Sequence, residues 1–226
     1  MPNPRYSIVI PAYNEAGRVG STIDGILAEF KDEAEVIVVD DCSKDETSSV
    51  ALSKGVKVVR HEVNKGKGAA VKTGFRSAAA GIVGFVDSDG STSSKSVRKV
   101  FETVGQYDIA IASRYLLDSV IPVKQPPLRI IASRIFNLLV LLLFAVNVRD
   151  TQCGCKAFTR TLALKIAENS KADRFEFDVE ALYLGKKFGG RIKEVAVEWT
   201  DRKDSKFNLL REAPRMFSGL VRTRFG

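Results

Sequence analysis

Apolar positions in the first half of this chain gather into short runs at residues 6–10, 36–39, 56–59 and 82–86, each separated from the next by a segment of helical spacing. The first such segment repeats Val19, Ile23, Ile26, Leu27 and Phe30 at intervals that place one apolar stripe on one helix face. A second helix is expected from near Asp45 to about Gly55, and a third, rich in alanine, from Gly68 to Ala80. A fourth, from about Ser94 to Val104, leads into a fifth strand at Ile109–Ser113. Strands alternating with helices in this way predict an α/β fold around a mostly parallel sheet.

Later in the chain the pattern loosens. A long helix is expected from about Leu128, then a turn at residues 150–156, helices near 162–167 and 178–188, and a strand at 192–199. No linker sets this half apart as a second domain. The most apolar stretch, residues 135–148, is about 14 residues long and contains Asn137 and Asn147. A spanning helix needs roughly 20, so the stretch is expected to lie on a membrane or pack in a core. Residues 207–225 set Leu209, Leu210, Met216, Phe217, Leu220 and Val221 among Arg211, Arg215, Arg222 and Arg224, a basic amphipathic pattern with Pro214 as a start or kink. A surface helix capping the domain has the same pattern. The chain is therefore read as a catalytic unit over 1–206 with a C-terminal amphipathic helix over 207–226.

Composition narrows this picture. The 226 residues, 45% apolar and 27% charged, suit one α/β domain with a substantial core. A net charge of +8 favours anionic partners without choosing among phosphates, acidic lipid and nucleic acid. Three cysteines, two of them in Cys153-Gly-Cys155, form neither a disulfide framework nor a zinc-ligand spacing, which points to a reducing compartment. The start, Met1-Pro-Asn-Pro-Arg5, carries no leader pattern that would direct secretion.

In open α/β sheets ligands bind beyond the carboxyl ends of the strands, and here those positions are polar and mostly acidic. They read Pro11-Ala-Tyr-Asn-Glu15, Asp40-Asp-Cys-Ser43, Asn64-Lys-Gly-Lys-Gly68 and Asp87-Ser-Asp-Gly90. Any one of them could be a helix cap or a turn; four at one sheet edge suggest a site. Asp87 and Asp89 are candidates to hold a hard divalent cation against a pyrophosphate. The Asn64–Gly68 turn can bring backbone N–H groups close to an anion, but it lacks the Walker spacing. Residues 11–20 lack the dinucleotide fingerprint. Basic residues are not interleaved with aromatics, and the acidic turns would have no role in a nucleic-acid-binding module, so nucleic acid is excluded as a partner.

Taken in order, Ile10-Pro-Ala-Tyr-Asn-Glu15, Val39-Asp-Asp-Cys-Ser-Lys-Asp-Glu-Thr47, Asn64-Lys-Gly-Lys-Gly-Ala69 and Asp87-Ser-Asp-Gly90 resemble the motifs of family 2 glycosyltransferases. The stretches from Arg149 to Lys156, Arg174 to Glu180 and Val197 to Thr200 resemble the narrower group of dolichyl-phosphate hexose synthases, above all the dolichyl-phosphate β-glucosyltransferases. The likeness runs over about residues 5 to 206. It implies a GT-A, Rossmann-like fold and a nucleotide-sugar donor. Pro11, Tyr13, Glu15 and Asp41 would hold base and ribose, Lys67 and Gly68 would belong to the nucleotide side, and Asp87 would meet ribose and metal. Asp89 would bind Mg²⁺ or Mn²⁺ on the pyrophosphate, with Ser91 at the position of a further polar ligand. Arg114 and Arg134 would meet the acceptor phosphate, Gln152 and Lys156 would line the sugar pocket, and Arg202, Ser205 and Lys206 would close over the diphosphate. Cys155 stands where the family usually has an aromatic residue.

The implied reaction is inverting transfer of a hexose, UDP-glucose favoured, to dolichyl or polyprenyl phosphate by a peripheral protein on the cytoplasmic face of a membrane. The apolar helix and the basic tail would be its lipid contacts. A phosphomonoester acceptor is already ionised near neutral pH, so no strong base is required, and the single histidine, His61, is expected to be structural or exposed. The alternatives are GDP-mannose or UDP-N-acetylglucosamine as donor, or a sugar hydroxyl as acceptor with Asp178 or Glu180 as base. A homo-oligomer or a membrane partner subunit stays open.

Overall fold

The computed structural model describes residues 4–123, 126–202 and 219. Seven strands form one sheet in the order β3-β2-β1-β4-β6-β5-β7. Four of them, β1 (Tyr6–Ala12), β2 (Ala34–Asp40), β3 (Lys57–Arg60) and β4 (Ile82–Val86), run parallel, each parallel pairing bridged by a helical crossover. The central strands are buried along their length, whereas β3 at one edge is exposed at Lys57 and Arg60, charges that discourage further strand pairing.

Alternation along the strands divides the core in two. Val9, Ile37, Val39, Val83 and Phe85 point to one face, where they meet α3 (Lys67–Ser77), α5 (Pro127–Phe144), α6 (Arg160–Asn169) and α7 (Phe177–Lys187). Tyr6, Ile8, Ile10, Val36 and Val38 point to the other, against α1 (Val19–Phe30), α2 (Thr47–Ser53) and α4 (Ser94–Thr103). Both faces are therefore covered, which is why the strands read as unbroken apolar runs. On the second face Tyr6, Phe30 and Phe101 stack edge to face with centroids 5.5–5.9 Å apart.

Three expectations need correcting. The turn expected at residues 150–156 ends in a strand, β6 (Cys155–Thr159), which lies antiparallel between β4 and β5 (Ile109–Ser113). Its five residues include a lysine, and only the two flanking strands make them a ladder. The strand expected at 192–199 ends at Ala196 as β7 (Ile192–Ala196), parallel to β5, and Glu198 and Trp199 make isolated bridges to Val120 and Thr92. Helix α3 stops at Ser77 rather than Ala80, because Ala79 N–H donates to Glu35 Oε1 and Ala80 N–H to Ser7 Oγ, drawing the chain back to the sheet. The boundary at residue 206 and the C-terminal amphipathic helix lie outside the described residues.

Candidate active site

The site begins with the turn after β2. Asp40, buried as the last residue of that strand, accepts a hydrogen bond from Ser43 N–H and pairs with Arg60 at 3.4 Å, so it shapes the turn. Asp41, 3% exposed, accepts from Lys65 N–H at 2.8 Å and Gly66 N–H at 2.7 Å. His61 Nδ1 lies 2.8 Å from the same carboxylate, and its Nε2 lies 2.9 Å from Thr73 Oγ1 on α3. His61 is thus buried and structural rather than exposed. Asp41 organises the Asn64–Gly68 turn, which passes so close to the backbone before α7 that a Cβ on Gly66 would sit 2.4 Å from Asp173 O. Gly66 also needs its positive φ of 101°.

That turn delivers Lys67 to a cluster of alternating charge. Lys67 Nζ lies 2.8 Å from Asp87 Oδ1 and 2.8 Å from Asp178 Oδ2. On the far side the fully buried Lys156 of β6 meets Asp178 Oδ1 at 2.5 Å and Cys153 O at 2.7 Å through its Nζ. Both ammonium groups lie 5.3 Å from the centre of the Phe85 ring. Burial alone would depress the Lys67 ammonium, but Asp178 and Asp87 outweigh it and hold its pKa above the usual lysine value. Burial likewise pushes Asp178 up, and Lys156 with Lys67 more than reverses it, so this carboxylate stays ionised below its ordinary range. Asp87, at the mouth of the cluster with its side chain 40% exposed, is the outlier. Desolvation, with Asp89 and Asp178 nearby, raises its pKa against the pull of Lys67.

The carboxylates expected to hold a cation are set by the turn after β4. Asp87 N–H donates to Gly154 O, Asp89 Oδ1 accepts from Ser91 N–H at 2.9 Å, and Ser88 O is held by Thr22 Oγ1. A Cβ on Gly154 would lie 1.7 Å from Asp87 Oδ2, so this position must be glycine for Asp87 to occupy its place. Among the described residues no three His, Cys, Asp or Glu side chains converge on one point. Two hard oxygen donors, both only partly buried, suit Mg²⁺ or Mn²⁺, which commonly take one or two carboxylates and complete their shells with phosphate oxygens and water. Ser91 is 7% exposed. Arg202 Nη2 reaches Gly90 O at 3.3 Å, placing that arginine over the same turn.

The remaining residues form a second group. Arg114, after β5, grips buried Asp150 through Nε at 2.7 Å, Nη2 at 2.8 Å and its backbone N–H at 3.0 Å. Burial opposes the guanidinium charge, but Asp150 raises its pKa beyond the usual value. Burial also opposes the Asp150 charge, and Arg114 holds that carboxyl below its usual range. Tyr115 is flanked by Arg114 and by exposed Arg134, whose guanidinium carbons lie 5.5 and 4.9 Å from its ring centre. Tyr115 O–H also donates to Ser133 Oγ at 3.2 Å, and Ser133 approaches Gln152 at 3.5 Å. Segment 150–156 therefore touches both groups: Asp150 and Gln152 at the arginines, Cys153 to Lys156 at the lysine cluster.

Pro11 and Tyr13 stand at the end of β1, Tyr13 39% exposed, and Glu15 pairs with Arg18 at 2.6 Å while its backbone N–H bonds Thr47 Oγ1. Gly68 lies in the first turn of α3, where a Cβ would meet Phe177 Cβ at 2.6 Å. Ser205 and Lys206 lie outside the described residues. Asp150, Gly154 and Thr73 carry no signal of their own in the sequence: Asp150 and Gly154 lie inside the Arg149–Lys156 stretch, but the residues they meet, like that of Thr73, are distant along the chain.

A mostly parallel sheet with acidic turns at its strand ends and lysines behind them is the architecture of GT-A glycosyltransferases. Glucosyl-3-phosphoglycerate synthase from Mycobacterium tuberculosis, crystallised with Mn²⁺, uridine diphosphate and glucosyl-3-phosphoglycerate, superposes with a TM-score of 0.78 at 20% identity, covering 99% of this chain and 80% of that one. At this identity the likeness shows the fold alone. Residues 7–166 match the model of glycosyl transferase family 2, and the chain belongs to that family and is a glycosyltransferase. Among curated relatives, the dolichyl-phosphate beta-glucosyltransferase of Dictyostelium discoideum is 34% identical over 97% of this chain and 73% of its own length. Those of Drosophila melanogaster and Homo sapiens are 37% and 35% identical, each over 91% of this chain and 70% of their own length. No helix among the described residues is long and apolar enough to cross a membrane.

Proposed function

We propose that this glycosyltransferase moves a hexose, with inversion, from a nucleotide sugar to dolichyl or another polyprenyl phosphate at a membrane surface, with UDP-glucose as the favoured donor. The observation that carries the acceptor class is the condition of the two carboxylates that a hydroxyl acceptor would need as base. Asp178 is clamped between Lys67 and Lys156. Glu180 accepts from Lys171 and Ala172 N–H and from Ser170 Oγ, securing the start of the segment before α7. A carboxylate held in its charged form by two ammonium groups is a poor proton acceptor, whereas a phosphate acceptor arrives already ionised. Identity of 34–37% to dolichyl-phosphate beta-glucosyltransferases supports the hexose and the lipid.

In this reading Asp87 and Asp89 hold Mg²⁺ or Mn²⁺, which would neutralise charge on the departing diphosphate. Tyr13, Glu15 and the turn organised by Asp41 receive the nucleoside, with Pro11 and Gly68 shaping the walls. Lys67 and Arg202 add positive charge on the diphosphate side, and Lys206 is assigned there by resemblance. Gln152 orients the hexose, Lys156 fixes Asp178 behind it, and Arg134 with the Arg114–Asp150 pair steers the acceptor phosphate to the anomeric carbon. Displacement in line from the opposite face inverts that carbon. Electrostatic positioning of this kind is usually the largest part of such catalysis.

The test is transfer of radiolabel from UDP-glucose, GDP-mannose and UDP-N-acetylglucosamine to a short polyprenyl phosphate, with Mg²⁺, Mn²⁺ or chelator. Labelled lipid from one donor, lost with chelator and in Asp89→Ala, is the expected result. Label reaching only soluble sugar acceptors would overturn the lipid reading.

A further inference from the structure

Tyr115, partly buried in the turn after β5, ties that strand end to helix α5. The residue before it is immobilised by Asp150, which accepts from the Arg114 side chain at 2.7 and 2.8 Å and from the Arg114 backbone N–H at 3.0 Å. From this fixed base the Tyr115 side chain reaches two successive residues of α5. Its hydroxyl donates to the Oγ of buried Ser133 at 3.2 Å, and the guanidinium carbon of Arg134 lies over its ring, 4.9 Å from the centre. The first contact orients the ring, and the second uses its face, where a planar guanidinium is attracted to the π-density.

The two arginines beside this ring are not equivalent. Arg114 has its charge met by buried Asp150. Arg134 is exposed and donates to Arg149 O at 3.3 Å, and among the described residues no carboxylate pairs with it. Its charge is therefore left for an anion, and a side chain of such rotamer freedom stands where its supports put it. Those supports are one carbonyl and the Tyr115 ring. We infer that Tyr115 is a positioning residue: bonded to Ser133 and stacked on Arg134, it sets the place of the Arg134 guanidinium for the acceptor phosphate. This rests on the lipid-phosphate reading above and adds to it the side chain that aims the arginine. Misplacing a group by about an ångström can cost as much as 100-fold in rate, whereas the donor, met by other residues, should not feel the change.

The experiment compares wild type, Tyr115→Leu, Tyr115→Phe, Arg134→Ala and Tyr115→Leu/Arg134→Ala, with folding checked by circular dichroism. Binding of a short, water-soluble polyprenyl phosphate is measured by calorimetry, and transfer of labelled hexose to it by steady-state kinetics. Tyr115→Leu should weaken acceptor binding and raise the acceptor KM about tenfold, with the donor KM within about twofold of wild type. Tyr115→Phe, which keeps the ring and loses only the hydroxyl, should cost about threefold. In the Arg134→Ala background the leucine substitution should add little, because a residue that acts through Arg134 has nothing left to position. A fully additive loss, an equal rise in donor and acceptor KM, or acceptor binding by Tyr115→Leu equal to wild type would each overturn the proposal. Should Tyr115→Leu fail to fold, the cycle of Tyr115→Phe with Arg134→Ala is read in the same way. Phosphate binding that Tyr115→Leu weakens, with no lipid labelled by any donor, would leave the positioning role standing and refute the acceptor assignment. Wild type that neither binds nor labels the lipid would refute both.

Discussion

Asp178 shows how the partners of a single residue bear on the roles open to it. In the sequence it is a carboxylate in the first turn of a helix, equally suited to complement the helix dipole or to act as a base. In the structure two lysines hold it, and both come from distant elements. Removing one member of a buried ion pair leaves an uncompensated charge, so Asp178→Asn and Lys156→Met should each cost about 3–5 kcal/mol, read from the denaturant midpoint. The pH dependence follows from the depressed carboxyls. Asp178 and Asp150 have folded pKa values below their unfolded value of about 3.9, so their contribution is complete above that value and drains away as pH falls through the folded one. Asp87, raised in the fold, titrates in the opposite sense. Asp150→Asn, compared with wild type by urea unfolding at pH 7, 5 and 3.5, should lose stability at the two higher values and show the shallower acid decline.

At the scale of elements, β6 is the instructive case. Strands β1, β2, β4 and β5 announce themselves by apolar runs, because each is buried on both faces. β6 carries Lys156 as its second residue, and a lysine in a five-residue segment argues against a central strand until Asp178 is known to pair with it. The residue just before this strand, Gly154, lies against Asp87. Gly154→Ala should therefore displace the carboxylate by about an ångström and lower transfer roughly 100-fold, with a higher Mg²⁺ or Mn²⁺ concentration needed for half-maximal activity. Activity and metal response equal to wild type would show that Asp87 tolerates the shift. Helix α5 is also legible only in part: its length and apolarity are in the sequence, but which side faces the core depends on Asn137 finding Arg149 and Thr151.

For the whole molecule, alternating strands and helices, the acidic turns and the ordered motifs fix the fold class and the family before any coordinates, because local spacing sets which face of each element is apolar and strand ends collect polar residues. The chain alone also marks Asp87, Asp89, Lys67 and Arg134 as residues of interest. What it cannot supply is who meets whom. The antiparallel place of β6, the Lys67–Asp178–Lys156 chain, the Arg114–Asp150 grip and the burial of His61 between Asp41 and Thr73 all join positions widely separated in sequence. Such contacts are set by how the layers pack on the sheet. Side-chain charge and hydropathy are properties of residues, whereas the desolvation and partners that decide their chemistry exist only once the chain has closed around them.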